Sequence, residues 1–451
     1  MSRSESTLPR PLVARPALRP LSGSLHAPGD KSISHRALML GGLAVGETTI
    51  HGLLEGEDVL RTAAAMRAMG AEIARGDDGI WRVQGRGIGG LVEPDDILDM
   101  GNAGTGTRLL MGVVATHPFN SFFSGDASLR SRPMTRVTKP LECMGARFVA
   151  REGGRLPACV IGTKQPLPIE YKLPVASAQV KSAIILAGLN TRGRTTVIEP
   201  EPTRDHTELM LRHFGVEITI EPSSEGDRVS VTGLPEITGR VVHVPGDPSS
   251  AAFPLVAALV VPGSHVTISG VGLNPRRTGI VDTLIEMGGD IRVANRRVEA
   301  GEPVGDLVVR AGKLRGVDVP ARRAPSMIDE YLVLAVAAAT AHGPTRMRGL
   351  GELRVKESDR LAAMAGGLAA CGVKVDLDGD DLTVHGCGGP PPGGAEIATR
   401  LDHRIAMSFL VMGLAARSPV RIDDASPIDT SFPGFETLMA GLGASFERHN
   451  R

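Results

Sequence analysis

One pattern of apolar and polar positions returns six times along the chain. Each copy has a helix-like stretch, then a glycine, and then a short apolar run with the character of a strand. A glycine directly after a helix is typical of the left-handed residue that turns the chain into the next strand. The six glycines follow one another at intervals of 70 to 84 residues: Gly70, Gly145, Gly215, Gly288, Gly372 and Gly443.

Repeats of this length account for all 451 residues, and they predict six small α/β modules rather than one wound nucleotide-binding sheet. The chain also divides near its middle. The phrase Pro-Gly-Asp begins a helix-like segment at Pro28 and again at Pro245, which lies 217 residues later. We therefore predict two lobes of three modules each, at residues 30–242 and 243–451, with ligands bound in a cleft.

Composition excludes several classes of function. The chain has 50 basic and 50 acidic residues, so no net field attracts nucleic acid or an anionic membrane. Aromatic residues make up 3% of the chain, which argues against a base-stacking surface. No apolar run reaches the roughly 18 residues that a membrane-spanning helix needs. The longest candidates, Val256–Val261 and Leu332–Ala339, predict buried helices.

The cysteines and the N-terminus indicate a cytoplasmic protein. The four cysteines form no CxxC pair and show no metal-ligand spacing with histidine, as expected of reduced thiols. The first 20 residues are rich in Arg and Pro but have no apolar core of a signal peptide. They therefore predict a disordered tail rather than an export signal.

Cations stand at the start of several helix-like segments whose composition predicts burial. Lys31 and Arg36 lie in the first turns of one such segment, and Arg404 lies at the start of another. Because a helix N-terminus is already partly positive, cations there are mildly unfavourable unless they help to hold an anion. We therefore predict a local anion site, with a solvated side chain as the alternative for each residue taken singly.

Three further basic residues fit the same hypothesis. Lys356 and Arg360 are four residues apart, which places them on one face of a predicted helix that continues into LAAMAGGLAACG. A salt-bridged surface helix is the alternative for that segment. Arg132 precedes Pro133, which constrains its backbone and suits a guanidinium that binds carboxylate or phosphate.

Taken together, these segments resemble one family, the 5-enolpyruvylshikimate-3-phosphate (EPSP) synthases, or 3-phosphoshikimate 1-carboxyvinyltransferases. The matching stretches run in order from residue 28 to residue 435: PGDKSISHRA, GNAGTGTR, DASLRSRPM, ASAQVKSA, TRDHTE, PGDPSSAAF, SMIDEY, LRVKESDRL, LDHRIAM and TSFPGF. SAQVKSA and SMIDEY are similar to the bacterial class II branch. The resemblance implies a two-lobed α/β enolpyruvyl transferase fold of six βαβαββ-type modules, in which residues 1–29 supply a tail and a strand, LSGSLHA, to the second lobe.

The reaction implied by the resemblance joins phosphoenolpyruvate to the 5-hydroxyl of shikimate 3-phosphate and releases phosphate. Its product lies on the route to chorismate and the aromatic amino acids. Both substrates have a phosphate and a carboxylate, which would explain a local cluster of cations in a chain without net charge. The resemblance also implies no cofactor, no metal, no nucleic-acid or membrane partner, a cytoplasmic monomer, and glyphosate as an inhibitor.

The family's site residues are transferred to the matching positions of this sequence. The implied ligands of shikimate 3-phosphate are Lys31, Ser32, Arg36, Ser177, Ala178, Gln179, Arg204, Asp329 and Lys356. The implied ligands of phosphoenolpyruvate are Lys31, Asn102, Gly104, Arg132, Gln179, Glu357, Arg360, His403 and Arg404. Asp329 would accept the proton of the attacking hydroxyl. Glu357, with Lys31 as the rival candidate, would protonate the methylene carbon of phosphoenolpyruvate.

Two positions bear on how phosphoenolpyruvate and its competitors bind. Thr430 stands where some family members have a lysine, so that one contact with phosphoenolpyruvate or phosphate is lost or replaced. Gly104 is retained, whereas glyphosate-tolerant class II enzymes have alanine at the matching position. A methyl group there would intrude on the inhibitor, so we expect this chain to be sensitive to glyphosate.

Three alternatives are weighed against this reading. UDP-N-acetylglucosamine enolpyruvyl transferase shares the fold, but its reactive loop cysteine has no counterpart in Cys143 or Cys159, which fall in helix-like and strand-like segments. A non-catalytic anion-binding scaffold on the same fold would be expected to lose Asp329 or Glu357, and both are present. An RNA cyclase on a related fold does not suit a chain with zero net charge and 3% aromatic residues.

Overall fold

The computed structural model describes residues 9–448, and these residues form two compact units. The first unit comprises residues 29–245 and 298–302. The second unit comprises the described residues 9–28, 246–297 and 303–448. Each unit has its own apolar core.

Helices and strands alternate along both units. The α-helices are α1 Lys31–Leu43, α2 Glu57–Ala68, α3 Gly104–Ala115, α4 Ala127–Ser131, α5 Thr135–Cys143, α6 Ala178–Leu189, α7 His206–His213, α8 Pro248–Val260, α9 Gly279–Glu286, α10 Ala324–Met327, α11 Tyr331–Thr340, α12 Arg360–Ala370, α13 His403–Ala415 and α14 Phe435–Gly441. Short 3-10 helices span Ala321–Arg323, Ile328–Glu330, Gly351–Val355 and Ser426–Thr430. The strands are β1 Leu12–Ala14, β2 Ser22–His26, β3 Glu47–His51, β4 Glu72–Arg75, β5 Trp81–Gln84, β6 Leu98–Asp99, β7 Asn120–Ser124, β8 Arg147–Arg151, β9 Arg155–Ile161, β10 Glu170–Lys172, β11 Arg194–Glu199, β12 Ile218–Ser223, β13 Gly226–Thr232, β14 Val241–His243, β15 His265–Gly272, β16 Asp290–Glu299, β17 Glu302–Arg310, β18 Asp318–Val319, β19 His342–Met347, β20 Lys374–Asp378, β21 Asp381–Cys387, β22 Glu396–Ile397, β23 Val420–Ile422 and β24 Phe446–Arg448.

The described strands form six four-stranded sheets, three in each unit. The sheets of the first unit have the strand orders β14-β3-β5-β4, β6-β7-β9-β8 and β10-β11-β13-β12. Those of the second unit have the orders β16-β17-β15-β2, β18-β19-β21-β20 and β22-β23-β1-β24. In every sheet one edge strand pairs in parallel with its neighbour. The repeated topology is the structural counterpart of the sixfold sequence pattern.

The six repeat glycines have the backbone conformation that the pattern predicts. Each follows a helix and precedes a strand, as Gly70 does between α2 and β4. All six have positive φ angles: 94° at Gly70, 103° at Gly145, 88° at Gly215, 92° at Gly288, 76° at Gly372 and 101° at Gly443. Residues with a Cβ rarely adopt this conformation, so the prediction of left-handed helix caps is confirmed.

The chain before Pro28 pairs with strands of the second unit. Strand β2 runs parallel to β15, with Leu25 opposite Ile268. Strand β1 lies between β23 and β24 in the sheet β22-β23-β1-β24. The predicted disordered tail is therefore wrong at Leu12–Ala14, because the side chains of Leu12 and Ala14 are fully buried in that sheet. The part of the predicted tail at residues 1–8 lies outside the described residues.

Buried helices fill the centre of each unit. In the second unit α8, α11 and α13 pack on one another, and in the first unit α3 packs on α6. Helix α11 contains the predicted run Leu332–Ala339, and α8 contains the run Val256–Val261 up to its C-cap at Val261, so both predictions of buried helices are confirmed. Among residues 9–448, none of the helices combines the length and the apolar character that crossing a membrane requires. Because these helices are buried along their length, polar side chains concentrate at their N-termini.

Candidate active site

The predicted site residues fall into two sets, one on each unit. The first-unit set is Lys31, Ser32, Arg36, Asn102, Gly104, Arg132, Ser177, Ala178, Gln179 and Arg204. The second-unit set is Asp329, Lys356, Glu357, Arg360, His403 and Arg404. Most of these residues lie at helix N-termini or in the loops that lead into them.

The start of α1 places Lys31 in a partly buried ion pair. Asp30 caps the helix, because its carboxylate accepts a hydrogen bond from the amide of Ile33 at 2.9 Å. The Nζ atom of Lys31 donates to Asp58 Oδ2 at 3.1 Å. Asp58 lies on α2 and was not predicted from the sequence, since an acidic residue in the first turn of a helix is an ordinary feature.

Arg36 is buried one turn further along α1. Its Nε donates to Thr207 Oγ1 at 2.7 Å, its Nη1 to the carbonyl oxygen of Ser32 at 2.9 Å, and its Nη2 to Ser182 Oγ at 2.8 Å. Burial lowers the pKa of Arg36 to about 10, against the opposing effect of Glu208 and other carboxylates. The guanidinium thus remains charged near neutral pH and is held in one orientation by its three partners.

His35, next to Arg36, is fully buried. Its Nδ1 lies 2.8 Å from Thr62 Oγ1. Burial, reinforced by the positive charges of Lys31 and Arg36, lowers the pKa of His35 to about 3. The imidazole is therefore neutral near pH 7, and the positive charge at this end of α1 comes from Lys31 and Arg36.

The start of α3 holds Arg132 beside Gly104. Arg132 Nη2 donates to Asn102 Oδ1 and to Ser128 Oγ, both at 2.9 Å. Asn102 in turn donates through Nδ2 to Asp126 Oδ2 at 2.7 Å, so that both ends of its amide are fixed. The backbone of Arg132 is extended, with ψ at 132°, as the following proline predicts.

Gly104 leaves room for two guanidinium groups. A Cβ atom built on Gly104 would lie 3.0 Å from Arg108 Nη1 and 3.1 Å from Arg132 Nη1. Arg108 is buried, and it donates to the carbonyl oxygens of Gly104 at 3.3 Å and Pro133 at 3.4 Å. Arg108 was not predicted as a site residue, although its place in the motif GNAGTGTR could have indicated it.

The start of α6 adds neutral donors and acceptors to the first-unit set. Ser177 caps α6 by accepting a hydrogen bond from the amide of Val180 at 3.4 Å, and Ala178 is the first helical residue. Gln179 Nε2 donates to Thr105 Oγ1 at 3.0 Å, which joins the N-termini of α6 and α3. Ser177 and Gln179 are both partly exposed.

A buried lysine that was not predicted lies one turn into α6. Lys181 is fully buried, and its Nζ lies 3.0 Å from Glu199 Oε1 and 2.7 Å from Glu208 Oε1. Glu199 accepts hydrogen bonds from the amide of Thr203, at 3.0 Å, and from its hydroxyl. Thr203 directly precedes Arg204, which is partly exposed in the loop between β11 and α7.

Asp329 connects the cations of the second unit. Its Oδ1 lies 3.5 Å from Lys356 Nζ and 3.2 Å from Arg360 Nη1. Its carbonyl oxygen accepts a hydrogen bond from Arg404 Nη1 at 3.4 Å. The structure therefore places Lys356, Arg360 and Arg404 around one aspartate. These are three of the basic residues that were predicted to bind anions.

Arg360 is buried among three carboxylates. Its Nε lies 2.8 Å from Asp402 Oδ2, and its Nη2 lies 2.6 Å from Glu357 Oε2, in addition to the contact with Asp329. Burial alone would lower the pKa of Arg360, but Asp402, Glu357 and Asp329 outweigh it and raise that pKa. Burial likewise opposes ionisation of Asp402, yet Arg360 and His403 lower the pKa of its carboxyl group.

The predicted helical face shared by Lys356 and Arg360 is wrong. A 3-10 helix ends at Val355, and α12 begins at Arg360. Asp359 caps α12 by accepting a hydrogen bond from the amide of Ala362 at 3.0 Å, which fixes the helix start after Lys356. The two cations approach each other through their shared contact with Asp329 instead.

A second buried network supports Arg404. Arg404 Nη1 lies 3.6 Å from Glu330 Oε1. The same Glu330 oxygen also accepts a hydrogen bond from the hydroxyl of Ser249. Arg277 Nη2 donates to Ser249 Oγ at 2.8 Å and to Asp247 Oδ1 at 3.1 Å. Arg277 and Glu330 were not predicted, because residues distant in sequence that meet in a core leave no local signal.

His403 and Thr430 complete the second unit's candidates. His403 is the first residue of α13 and is buried, and together with Arg360 it lowers the pKa of the neighbouring Asp402 carboxyl group. Thr430 lies at the end of a 3-10 helix, where its hydroxyl donates to the carbonyl oxygen of Pro427 at 2.7 Å. The structure thus gives Thr430 a local role in closing the turn.

The cysteines do not resemble catalytic nucleophiles. Cys143 is the exposed last residue of α5, and Cys159 lies within β9. Burial and the nearby Glu93 raise the pKa of the Cys159 thiol. A raised pKa disfavours the reactive thiolate. The two residue sets instead bring together basic side chains, which can bind anions, and carboxylates, which can exchange protons.

Comparisons with known proteins agree on one family. The family model for EPSP synthase (3-phosphoshikimate 1-carboxyvinyltransferase) matches residues 17–439. The 3-phosphoshikimate 1-carboxyvinyltransferase of Paramagnetospirillum magneticum is 68% identical over 98% of this chain and 99% of its own. That of Rhodospirillum rubrum is 64% identical over 97% of this chain and 98% of its own.

Solved structures give the same result for the fold. The EPSP synthase of Acinetobacter baumannii has a TM-score of 0.89 at 42% identity, covering 98% of this chain and 100% of that one. The enolpyruvyl transferase NikO of Streptomyces tendae has a TM-score of 0.76 at 18% identity, covering 98% and 99%, and it bears on the fold alone. The predicted enolpyruvyl transferase fold is confirmed, and the class II branch stays a prediction.

Proposed function

We propose roles for the residues of both units on one premise: the chain belongs to the EPSP synthase family. It transfers the enolpyruvyl group of phosphoenolpyruvate to the 5-hydroxyl of shikimate 3-phosphate and releases phosphate. The names of its relatives support this reaction and not the UDP-N-acetylglucosamine alternative. The roles of individual residues that follow are proposals.

The proposal depends on one observation, the pairing of Asp329 and Glu357 with the buried guanidinium of Arg360. The reaction needs an acceptor for the proton of the 5-hydroxyl and a donor of a proton to the methylene carbon. Asp329, paired with Lys356 at 3.5 Å and Arg360 at 3.2 Å, is stabilised as the carboxylate that an acceptor must be. We assign Asp329 to accept the hydroxyl proton.

Glu357 is the proposed proton donor. Its ion pair with Arg360 at 2.6 Å affects whether its carboxyl group holds a proton. The pair favours the ionised carboxylate, which cannot donate a proton. Phosphoenolpyruvate bound to Arg360 would compete for that guanidinium and add negative charge, and both effects favour protonation of Glu357. Lys31, a cation with a proton to give, remains the rival donor.

The other residues are proposed as ligands of the two anionic substrates. Cations bind the phosphate and carboxylate groups, and neutral side chains bind the ring hydroxyls. For shikimate 3-phosphate we propose Lys31, Ser32, Arg36, Ser177, Ala178, Gln179, Arg204, Asp329 and Lys356. For phosphoenolpyruvate we propose Lys31, Asn102, Gly104, Arg132, Gln179, Glu357, Arg360, His403 and Arg404.

Release of phosphate by the purified protein tests the function and the role of Asp329 together. We expect release to require both substrates and to fall about 1,000-fold in Asp329→Asn, which cannot accept the proton. Asp318→Asn is the matched control, because Asp318 is an exposed aspartate paired with Arg348 at 2.6 Å in the same unit. Full activity of Asp329→Asn would refute its assignment, and turnover with UDP-N-acetylglucosamine in place of shikimate 3-phosphate would refute the function.

The identity of the proton donor can be decided in deuterium oxide. A donor that protonates the methylene carbon introduces solvent deuterium into the enolpyruvyl group. We expect Glu357→Gln to abolish this incorporation. We expect Lys31→Met to weaken substrate binding but still to incorporate deuterium. Loss of incorporation in Lys31→Met alone, at saturating substrate, would assign the step to Lys31 instead.

Inhibition by glyphosate, the monomeric state and a cytoplasmic location are further proposals. Gly104 supports the first, since the space beside Arg108 and Arg132 is free of a methyl group.

Both residue sets belong to one chain, which supports a monomer as the active form. Sedimentation of the purified protein during turnover tests that state, and a dimer whose dissociation removes activity would contradict it.

A further inference from the structure

A buried charge cluster lies behind the first-unit ligands and is not explained by the reaction itself. Lys181 is fully buried and contacts Glu199 and Glu208, whose side chains are each 1% exposed. Burying a charge is costly unless it is paired, and removing one partner of such a group leaves the others uncompensated. Three ionisable side chains buried together in the interior therefore require a structural or functional reason.

One arm of the cluster runs from Lys181 to the loop that contains Arg204. Glu199, at the end of β11, accepts hydrogen bonds from both the amide and the hydroxyl of Thr203. Lys181 Nζ holds the same carboxylate at 3.0 Å. Because Thr203 is buried and Arg204 follows it directly, the position of Glu199 determines where the loop places Arg204.

The other arm runs from Lys181 to Arg36. Glu208, which lies 2.7 Å from Lys181 Nζ, attracts the positive charge of Arg36. The neighbours of these residues in sequence are joined as well, since Ser182 Oγ lies 2.7 Å from Thr207 Oγ1 and both bond to the guanidinium of Arg36. Helices α6 and α7 thus hold Arg36 through one connected set of polar contacts.

The two arms end at cations of like charge. Burial is the main cause of the lowered pKa of Arg36, and the positive charge of Arg204 contributes to it. Two guanidinium groups held near each other repel, and a bound anion removes that repulsion.

We propose that Lys181 is a positioning residue for shikimate 3-phosphate, holding Glu199 and Glu208 so that Arg204 and Arg36 face the same anion. This inference rests on the proposed function, which makes shikimate 3-phosphate the ligand of both arginines. Without the ammonium group, two buried carboxylates repel each other. Glu199 then turns away, and the loop at Thr203 loses its fixed position.

Lys181→Met tests the proposal, because methionine fills a similar volume without the charge. We expect the dissociation constant of shikimate 3-phosphate, measured by titration calorimetry on the full chain, to rise at least tenfold. The KM of phosphoenolpyruvate at saturating shikimate 3-phosphate should change less than twofold. Lys172→Met is the matched control, since Lys172 is exposed and pairs with the exposed Glu225 at 2.9 Å in the same unit.

A second variant restores the charge balance without the lysine. In Lys181→Met/Glu208→Gln one carboxylate remains, and the new amide can donate to Glu199. We expect the affinity for shikimate 3-phosphate to return to within about threefold of the unsubstituted protein, which corresponds to a free-energy difference of ~0.7 kcal/mol. An affinity as weak as that of Lys181→Met would show that the cluster does not act through its charges.

Thr203→Val keeps the inference testable if Lys181→Met does not fold. It leaves the three charges in place and removes the hydroxyl that bonds to Glu199. We expect a severalfold weaker affinity for shikimate 3-phosphate with unchanged KM for phosphoenolpyruvate. Unchanged affinity in Lys181→Met, or in Thr203→Val where Lys181→Met does not fold, would overturn the inference. An unsubstituted protein that fails to bind shikimate 3-phosphate would instead overturn the proposed function.

Discussion

At the scale of single residues, the second-unit set is organised by one guanidinium. Arg360 is 1% exposed and pairs with Asp402, Glu357 and Asp329. Arginine suits this place better than lysine, because its planar group offers five donors in fixed directions. A change to lysine would leave buried carboxylates without hydrogen-bond partners. The resulting loss of folding free energy exceeds that of a single hydrogen bond.

His35 makes stability depend on pH. The folded protein lowers the pKa of His35 to about 3, whereas the unfolded chain has a value near 6.5. The neutral imidazole therefore stabilises the fold above pH 6.5, and this stability is lost as the pH falls from there towards 3. Between pH 7 and pH 5 we expect a loss of about 2 kcal/mol from this group.

Urea unfolding at pH 7, 6 and 5 measures the loss. His35→Asn, which can keep the hydrogen bond to Thr62, should be less stable at pH 7 but should lose less stability on acidification. The same substitution at His342, an exposed residue, is the control. Equal pH dependence in His35→Asn and the unsubstituted protein would contradict the assignment.

Gly104→Ala should separate the inhibitor from the substrate. The added methyl group would lie about 3 Å from the ends of Arg108 and Arg132, and those side chains must shift by a few tenths of an ångström. We expect the KM of phosphoenolpyruvate to rise a few fold. The glyphosate concentration for half inhibition should rise by a factor at least ten times larger than the factor for this KM, since glyphosate is the longer molecule. Equal changes in both quantities in steady-state titrations would contradict this expectation.

At the scale of elements, capping residues decide where the site residues stand. Asp30, Ser177 and Asp402 cap α1, α6 and α13, and each is followed within two residues by a candidate ligand. The starts of α1 and α13 were predicted from the sequence, because a polar residue before an apolar run is a strong local signal. The position of Lys356 was misjudged, since six charged residues crowd the segment from Glu352 to Arg360 and hide the cap at Asp359.

Three glycines of α12 and its cap should respond differently to alanine. Gly366 is exposed within the helix with nothing within 4 Å, so Gly366→Ala should stabilise the fold by about 0.5–1 kcal/mol. At Gly367 a Cβ would lie 2.2 Å from Phe409 Cζ, and overpacking should cost about 1–3 kcal/mol. At Gly372 the φ of +76° makes alanine unfavourable by about 1 kcal/mol or more.

Urea unfolding of the three variants measures these differences. Each contains the same added methyl group within seven positions of the others, so that each serves as a control for the rest. Destabilisation by Gly366→Ala as large as that by Gly372→Ala would contradict the left-handed cap as the reason for the glycine.

At the scale of the whole molecule, the sixfold repeat was predictable from the sequence. The pairing of strand β1 with β23 and β24, far away along the chain, was not. Each repeat is local, so that the helix, its glycine and the next strand all lie within a few residues. The sheet β22-β23-β1-β24, in contrast, pairs Leu12 with Ile422, and a strand of three residues has no periodicity to recognise. The buried partners Lys181, Asp402 and Arg277 were missed for the same reason, since their contacts join distant parts of the chain.

The pairing of distant segments predicts which half of the protein each core substitution affects. Leu12 is fully buried in the core of the second unit, and Leu40 is fully buried in that of the first. Leucine to alanine in a core costs about 2–5 kcal/mol. We expect Leu12→Ala to reduce hydrogen-exchange protection in residues 396–448, more than 380 positions away in sequence, and to leave α1 and α3 protected.

Leu40→Ala should produce the reverse pattern, with lost protection in α1 and α3 and normal protection in β23 and β24. The two variants control for each other, because each removes the same atoms from a fully buried site. Peptide-level exchange under native conditions distinguishes the patterns, since segments that open together lose protection together. If both variants lowered protection equally in all peptides, the two cores would unfold as one cooperative unit, and the division of the chain into separately stabilised units would be wrong.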